Sequence, residues 1–218
     1  MMTLLSILLT MVGYLGAKRL QSRFPAFHPL LAGTGVVWLI WWGISGDWQM
    51  YKEGGEWISF WLGPATVALA IPLVKQIRSL APIWLPVLAG VAFGCGIALL
   101  SGWLIMWLAG GTDVLIRSML TKSVTTPFAV EMTRAKGGIP ELAATFSAVT
   151  GLIGAVMARP LLKLARIRDD WAIGIAVGTS SHAIGTASLA QQAEAQAAAS
   201  SVAMILAGIV TSVYLIPF

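Results

Sequence analysis

Apolar residues in this chain are grouped into long uninterrupted runs rather than into the short alternations of a soluble protein. A helix of about 20 apolar residues crosses the hydrocarbon core of a bilayer, so runs of this kind predict transmembrane helices. They cover residues 2–17, 29–44, 57–78, 83–109, 139–164 and 199–217. Two further stretches, 112–136 and 170–192, mix apolar residues with hydroxyl, glycine and charged residues.

The composition supports the same interpretation. The chain has 218 residues, of which 57% are hydrophobic and only 11% are charged, whereas soluble domains carry about 25% charged residues. We therefore predict an all-α integral membrane protein with about seven or eight spans, some of them discontinuous or re-entrant. That number of spans leaves no room for a soluble domain, so residues 1–218 are predicted to form one transmembrane domain.

The net charge of +5 is not a sign of nucleic-acid binding, because the basic residues form short clusters between apolar runs. Such clusters are typical of cytoplasmic loops. Lys18, Arg19 and Arg23 follow the first apolar run instead of preceding it, which favours a retained span over a cleaved signal peptide.

An internal repeat is visible in the polar positions. Glu56, Asp113 and Asp170 are spaced evenly, and each precedes a short apolar approach, a patch of small polar residues and a clean apolar run. This spacing predicts N-terminal spans within 2–44, followed by repeat-like units at 56–110, 113–168 and 170–217, each an interrupted helix plus an intact one.

Two topologies are open. If every interrupted segment crosses the membrane, the basic loop 159–168 falls outside, against the positive-inside tendency. If 112–136 enters and returns on the outer side, that loop falls inside and successive units are inverted, as in many secondary transporters. We favour re-entrant or discontinuous segments at 112–136 and 170–192.

The first interruption is Thr121-Lys-Ser-Val-Thr-Thr-Pro-Phe-Ala-Val-Glu131. Thr126 suits an N-cap and Pro127 suits the first position of a helix. A half-helix that begins there would direct free N–H groups and its positive dipole end towards Lys122–Thr126. Gly63 and Pro64 predict a similar helix break, although an ordinary proline kink is equally compatible with them.

The second interruption, Gly178–Gln192, carries five hydroxyls, a histidine and two glycines. Gly185 and Thr186 precede a run of strong helix formers, which predicts a half-helix starting near Thr186 and facing Ser180, Ser181 and His182. Two half-helix ends that meet near the middle of the membrane, with Lys122 beside them, would form an anion site.

Structural roles compete with these functional ones. Serine and threonine in membrane helices often only join helices, and Lys122 could extend its ammonium group to the interface. Glu131 could carry a proton or simply pair with Arg134, and Arg117 could pair with Asp113.

Enzyme chemistry is not predicted. Ser181 and His182 are adjacent and lack an orienting acid, so they do not form a hydrolase pair. Two histidines and Cys95, far apart in the sequence, do not predict a metal site. The chain has no phosphate-binding loop for ATP-driven transport, so no cofactor is expected.

Four segments resemble the LrgB/CidB family of bacterial membrane proteins, and the similarity runs from about residue 5 to the C-terminus. They are Lys122-Ser-Val-Thr-Thr-Pro127, Gly137-Gly-Ile-Pro140, Ser181-His-Ala-Ile-Gly-Thr-Ala187 and Leu62-Gly-Pro-Ala-Thr-Val-Ala-Leu-Ala-Ile-Pro-Leu73. Ala183 stands where the family commonly has glycine.

The resemblance implies two functions. Bacterial members are described as holin/antiholin-like proteins that affect murein hydrolase export with a small partner of the LrgA/CidA type. Plant relatives act as a plastidial glycolate/glycerate transporter, and bacterial relatives have been linked to pyruvate movement. It also implies a multi-pass protein of the bacterial inner membrane.

Our first hypothesis is a secondary transporter of small monocarboxylates or 2-hydroxy acids, and a homodimer is expected. His182 and Glu131 would couple transport to protonation. The alternative is a regulator of a holin-like partner that moves no solute. The predicted substrate-binding residues are Lys122, Ser123, Thr125, Thr126, Ser180, Ser181, His182, Gly185 and Thr186.

Overall fold

The structure is a computed structural model that describes residues 2–23, 29–61, 82–190 and 193–217, together with positions 64, 67, 71 and 74. In these residues every regular element is a helix, which confirms the predicted all-α class. The helices are α1 (Met2–Arg23), α2 (Pro29–Ile44), α3 (Trp48–Phe60), α4 (Trp84–Leu108), α5 (Asp113–Leu120), α6 (Thr126–Ala135), α7 (Pro140–Leu164), α8 (Asp170–Ala190) and α9 (Glu194–Tyr214).

Four described helices are long and apolar enough to cross a membrane. They are α1, α4, α7 and α9. The predicted run at 29–44 forms the shorter helix α2, and most of the run at 57–78, including the predicted break at Gly63, lies outside the described residues. Pro64 is helical. The number of spans stays a prediction.

The chain divides into two compact units, residues 1–65 and residues 66–218. In the first unit α2 and α3 both pack on α1. Thr10 Oγ1 of α1 lies 2.8 Å from the hydroxyl of Tyr51 in α3, and a Cβ on Gly13 would lie 2.5 Å from Val37 of α2. The fully buried Trp41 donates its indole N–H to the Asp47 carbonyl at 2.8 Å.

The core of the second unit lies between α4 and α9. Val87, Val91 and Cys95 of α4 pack with Val202, Ala203 and Ala207 of α9, and all six are at most 3% exposed. Buried small side chains allow two helices to approach closely when lipid provides no hydrophobic drive. Of the other helices named above, α5 packs on α4, α8 packs on α4 and α9, and α7 packs on α6 and α8.

Helices α5 and α6 are antiparallel and form a short hairpin. Near its base, Arg117 donates to the Lys136 carbonyl at 2.9 Å. The hydroxyl of Thr121, directly after α5, lies 2.8 Å from the hydroxyl of Thr133 in the last turn of α6. The tip is the non-helical turn Thr121–Thr125. Helices of 8 and 10 residues are about 12 and 15 Å long at 1.5 Å per residue.

The start of α6 differs from its prediction by one position. Thr125, not Thr126, is the N-cap, and Thr126 is already helical with Pro127 in the first turn. The Thr125 hydroxyl does not cap the helix. Proline is still accepted here because the first-turn amide has no partner within the helix.

Helix α8 bends sharply at His182, the one residue within it with non-helical dihedral angles (φ 39°, ψ −134°). Gly178 and Thr186 both contact Ser200 of α9, although eight residues of straight helix would separate them by about 12 Å. Gln196 at the start of α9 donates to Asp170 at the start of α8, at 2.8 Å. The second half of α8 therefore returns towards the level where the first half begins.

This bend corrects the predicted form of the second interruption. An unwound patch over Ser180, Ser181 and His182, with a helix restarting near Thr186, was expected. The departure from helical geometry is instead confined to His182. Gly185 packs against Ser181 and Val177, where a Cβ would lie 2.5 and 2.7 Å from their side chains. A glycine is thus required beside the bend.

The repeat pattern agrees with the elements only in part. Asp113 begins α5 and Asp170 begins α8, whereas Glu56 lies inside α3. In the second unit the spacing therefore coincides with the first residues of α5 and α8. The predicted unit bounds remain predictions.

Candidate functional site

The α5–α6 tip and the α8 bend meet at one residue of α7, Ser147, which is fully buried. Its hydroxyl donates to the Val124 carbonyl of the tip at 2.7 Å. Its carbonyl lies 2.9 Å from Nε2 of His182, and its hydroxyl lies 3.4 Å from the same nitrogen. Thr126 adds a contact of 3.4 Å to the Ser147 hydroxyl. The two predicted interruptions are therefore joined through a side chain that belongs to neither.

The contact fixes the tautomer of His182. A carbonyl oxygen only accepts, so the 2.9 Å contact to Ser147 requires hydrogen on Nε2. Nδ1 of the neutral ring is then an acceptor, and among the described residues it has no hydrogen-bond partner. The imidazole is 1% exposed. A buried nitrogen without a partner is costly, so this atom is available to accept a hydrogen bond.

Glycines in α7 make room for the bend. A Cβ on Gly151 would lie 2.6 Å from Cε1 of His182, and a Cβ on Gly154 would collide with the Ser181 hydroxyl. Ser147, Gly151 and Gly154 share one face of α7, because residues three and four apart are neighbours on a helix. The α8 bend packs on this face, which we call the α7 seat.

A cavity of about 450 Å³ lies beside the junction. Polar side chains enter it from both interrupted segments and from α7: Lys122, Ser123, Thr150, Thr179 and Ser180. Apolar groups from α4, α7 and α8 form the rest of the wall: Gly90, Gly94, Ile97, Ala98, Ile153, Gly154, Met157, Ala158, Leu161, Ile175 and Ala176. The cavity is within the usual size range of ligand pockets.

Among the described residues of this lining, Lys122 is the only charged one. Its ammonium donates to the Ser123 hydroxyl at 3.2 Å, and Gly102 of α4 makes room for its stem, since a Cβ there would lie 3.3 Å from Cε. Within the described residues the structure gives it no carboxylate partner. A partly buried ammonium that is paired only with a hydroxyl favours a bound anion, because desolvated charges are stable only when paired.

Thr179 also places a hydroxyl without a hydrogen-bond partner beside the cavity. It is 6% exposed and lines the cavity, and its hydroxyl has no hydrogen-bond partner in the described part of the chain. Gly94 of α4 lies against its methyl group, since a Cβ at Gly94 would come within 2.9 Å of Cγ2 of Thr179. The hydroxyl of Thr125, 3% exposed, is unpartnered in the same sense.

The predicted site residues fall into four groups. Lys122, Ser123 and Ser180 line the cavity. Ser181, His182 and Gly185 are buried behind it and shape the bend. Thr125 and Thr126 lie at the α5–α6 tip. Thr186 lies against α9, where its hydroxyl is 2.8 Å from the Ser200 hydroxyl.

Glu131 is not brought to the cavity. It pairs with Arg134 at 2.6 Å, and both side chains are more than half exposed. Pairing with Arg134 is the structural role that the sequence left open for Glu131 beside proton transfer. Arg117 bonds to the Lys136 carbonyl and not to Asp113. In the described residues, no group of three His, Cys, Asp or Glu side chains could hold a metal ion.

Sequence reasoning missed the contribution of α7. Ser147 and Thr150 lie within an apolar run that reads as an ordinary span, so nothing nearby singles them out. The only local signal is the spacing of Ser147, Gly151 and Gly154 along one helix face. That spacing is typical of close helix packing.

Comparison with known families agrees with these motifs. Residues 10–218 match the LrgB-like family, a region that contains both interrupted segments and the α7 seat. The chain belongs to the LrgB-like family. Together with the four apolar helices, this membership identifies a multi-pass membrane protein of a holin/antiholin-associated family.

Relatives within the family match over nearly their whole length. The chain is 37% identical to the uncharacterized protein YwbG of Bacillus subtilis, over 95% of this chain and 93% of the relative. It is 35% identical to YxaC of the same organism, over 95% and 91%. It is 34% identical to the holin-like protein CidB of Staphylococcus aureus, over 98% and 94%. No solved structure matches the chain.

Proposed function

We propose that this protein is a secondary transporter of small monocarboxylates or 2-hydroxy acids across the bacterial inner membrane, with glycolate, glycerate and pyruvate as candidate substrates. The observation that carries the proposal is the cavity of about 450 Å³ in which Lys122 is the single charge among the described lining residues. At about 30 Å³ per water molecule, it has room for a three-carbon acid together with several waters.

Charge and polarity favour a monoanion with hydroxyl groups. One ammonium group balances one carboxylate, and a second carboxylate would be buried without a partner at a cost of several kcal/mol. The hydroxyls of Ser123, Thr179 and Ser180 can accept or donate hydrogen bonds. They suit the hydroxyl or keto oxygen next to the carboxylate, while the apolar wall suits a short carbon chain.

The α5–α6 hairpin and the bent helix α8 support alternating access. The α5–α6 base lies near the start of α7, since the Ile139 amide donates to Ser118 at 2.8 Å. The α8 bend lies further along, at Ser147 and Gly151. In our proposal these are two re-entrant hairpins that enter from opposite faces and end near the midplane. Such discontinuous, inverted elements hold the substrate in many secondary transporters.

In this proposal His182 couples transport to protons. A histidine changes charge near neutral pH, and its unpartnered Nδ1 is the position that would take the proton. His182 does not itself line the cavity, so its effect would reach the substrate through Thr179 and Ser180 on the preceding turn. Glu131, which is exposed and paired with Arg134, has no part in this mechanism.

Uptake into proteoliposomes tests the proposal. The purified chain should give saturable uptake of at least one of radiolabelled glycolate, glycerate or pyruvate. Lys122→Met removes the charge and keeps the length. A charge-assisted hydrogen bond contributes about 1.5–3 kcal/mol. The initial uptake rate at low substrate concentration should therefore fall about 10- to 100-fold.

The matched control is Lys136→Met, which removes a half-buried lysine at the C-terminal end of α6, outside the cavity. It should transport like the native chain. An absence of saturable uptake by the native chain, or equal uptake by the two variants, would contradict the proposal.

A second candidate is regulation of a holin-like partner without transport. It is favoured by the name of the Staphylococcus aureus relative, a holin-like protein, and a small membrane partner of the LrgA/CidA type would then be required. In that case the chain alone would move no acid into vesicles, and release of a trapped dye would appear only when the partner is reconstituted with it. A homodimer is compatible with both candidate functions, and measurement of the molecular mass of the detergent-solubilised protein tests for it.

A further inference from the structure

A second cavity, of about 330 Å³, lies at the C-terminal end of α7, away from the α5–α6 tip. Three cations line it: Arg159, Lys163 and Arg168. The part of its lining that the structure describes contains no acidic residue. Neither proposed function uses this cavity.

A specific turn builds one side of the cavity. The amide of Ile167 donates to the Leu162 carbonyl at 3.0 Å, and the amide of Arg166 donates to the Lys163 carbonyl at 3.0 Å. These two bonds define a Schellman motif, which places a residue in the left-handed region after the helix. Arg166 occupies that position with φ 57°. The motif ends α7 and turns the chain so that Ile167 and Arg168 line the cavity together with the cations of α7.

Nearby acids are engaged elsewhere. Asp169 accepts the Ala172 amide at 2.8 Å and Asp170 accepts the Gln196 side chain at 2.8 Å. In the described ranges, the structure gives no ion pair to Arg159, Lys163 or Arg168. Three cations around one cavity repel one another, and an anion between them would relieve that repulsion.

The rest of the wall is mainly apolar. Both halves of α8 and the facing side of α7 contribute it, together with the turn that follows α7: Ala155, Ala158, Leu162, Ile167, Ile173, Val177 and Leu189. A small hydrated anion would pair with the cations and leave this wall in contact with water. An amphiphile with an anionic head and hydrocarbon tails would satisfy both parts. The position fits, because α7 is a 25-residue candidate span and the end of a span of that length reaches the membrane surface.

We propose that this cavity binds the headgroup of an anionic phospholipid, with Arg159, Lys163 and Arg168 around the phosphate and the apolar wall against the acyl chains. A lipid bound there contacts α7 and both halves of α8 at once. It therefore holds both halves of the bent helix α8 against α7.

Native mass spectrometry of the full chain in detergent micelles tests the proposal. The probes are dioleoyl phosphatidylglycerol and dioleoyl phosphatidylcholine, which share their acyl chains and differ in headgroup charge. The native chain should prefer phosphatidylglycerol. Arg159→Gln/Lys163→Gln should lose about 30-fold in affinity for it, given about tenfold or less for each cation near an anionic surface, with phosphatidylcholine binding unchanged.

The control is Lys18→Gln/Arg23→Gln, which removes two exposed cations near the end of α1 and should keep the preference. Arg168→Gln, outside the helices, provides a second variant if the double variant does not fold. Inorganic phosphate should not displace phosphatidylglycerol. Equal binding of the two lipids by the native chain, retained preference in the cavity variants, or displacement by inorganic phosphate would overturn the proposal.

Discussion

An alanine at Gly151 would place a methyl group against the buried imidazole of His182. The added Cβ would lie 2.6 Å from Cε1, 2.8 Å from Nε2 and 3.0 Å from Cδ1 of Ile184. Non-bonded carbon atoms prefer about 3.5–4.0 Å. The ring must therefore move by roughly 1 Å, and its 2.9 Å bond to the Ser147 carbonyl would be stretched beyond hydrogen-bond range.

Three contributions determine how far Gly151→Ala lowers the free energy of unfolding. Overpacking of a tight site costs about 1–3 kcal/mol, and a buried polar group left unpaired costs about 1–3 kcal/mol. The better helix propensity of alanine offsets about 1 kcal/mol. Gly151→Ala should therefore destabilise the protein by about 1–5 kcal/mol, and it should also lower acid uptake.

The assay is thermal unfolding in detergent, followed by tryptophan fluorescence, beside uptake in proteoliposomes. The control is Gly96→Ala in α4, where the added Cβ would meet only Tyr214, at 3.9 Å. Its melting temperature should be unchanged or slightly raised. At about 2–4 °C per kcal/mol for a chain of this size, Gly151→Ala should melt several degrees lower.

A double-mutant cycle sharpens the test. In a His182→Ala background the collision partner is absent, so Gly151→Ala should lose most of its cost. Equal melting temperatures for Gly151→Ala and Gly96→Ala would refute the packing of the α8 bend on α7. An undiminished cost in the His182→Ala background would show that the cause lies elsewhere.

Three further substitutions give distinct outcomes. Ser147→Ala leaves the Val124 carbonyl without its donor and should lower stability by about 1–3 kcal/mol; an unchanged melting temperature would contradict the junction. Thr133→Val removes one half of a buried hydroxyl pair and should cost a similar amount, whereas Thr145→Val at an exposed position should cost less than about 0.5 kcal/mol. Glu131→Gln breaks an exposed ion pair worth at most about 1 kcal/mol, so uptake should be unchanged; a large loss would restore a role for Glu131 in coupling.

The first interruption was predictable almost to the residue. Proline is accepted in the first turn of a helix and disfavoured in its interior, so Thr-Pro at positions 126 and 127 locates the start of α6 locally. The structure differs by one position, at Thr125. Helix ends assigned from hydrogen bonds commonly differ by that amount.

The position of the second bend was not predictable by the same reasoning. A positive φ is expected at glycine, and Gly178 and Gly185 flank the segment. The structure places it at His182, because both glycines are needed for close packing, one against Ser200 and the other against Ser181 and Val177. Tertiary contacts decided which residue adopts the rare conformation.

The cavity depended on contacts between distant parts of the chain. Composition and motif pointed to Lys122, Ser123 and Ser180, which line it. Thr150 and Thr179 complete its polar surface. Thr150 is an isolated threonine in an apolar run, which is common in membrane helices, and Thr179 is one of the five hydroxyl residues of the second interruption. Their role follows only from the packing of α4, α7 and α8.

Gly151 has one more consequence, which concerns the main chain of α7. In a regular helix the carbonyl of residue 147 accepts the amide of residue 151, and it keeps a second lone pair. A side chain at 151 would cover that oxygen. Because glycine leaves it bare, the Ser147 carbonyl can also accept from His182, at 2.9 Å. The main-chain carbonyl of an apolar span thus serves as a hydrogen-bond acceptor for a side chain of another helix. Substitution of Gly151 can abolish this hydrogen bond although it removes no polar atom.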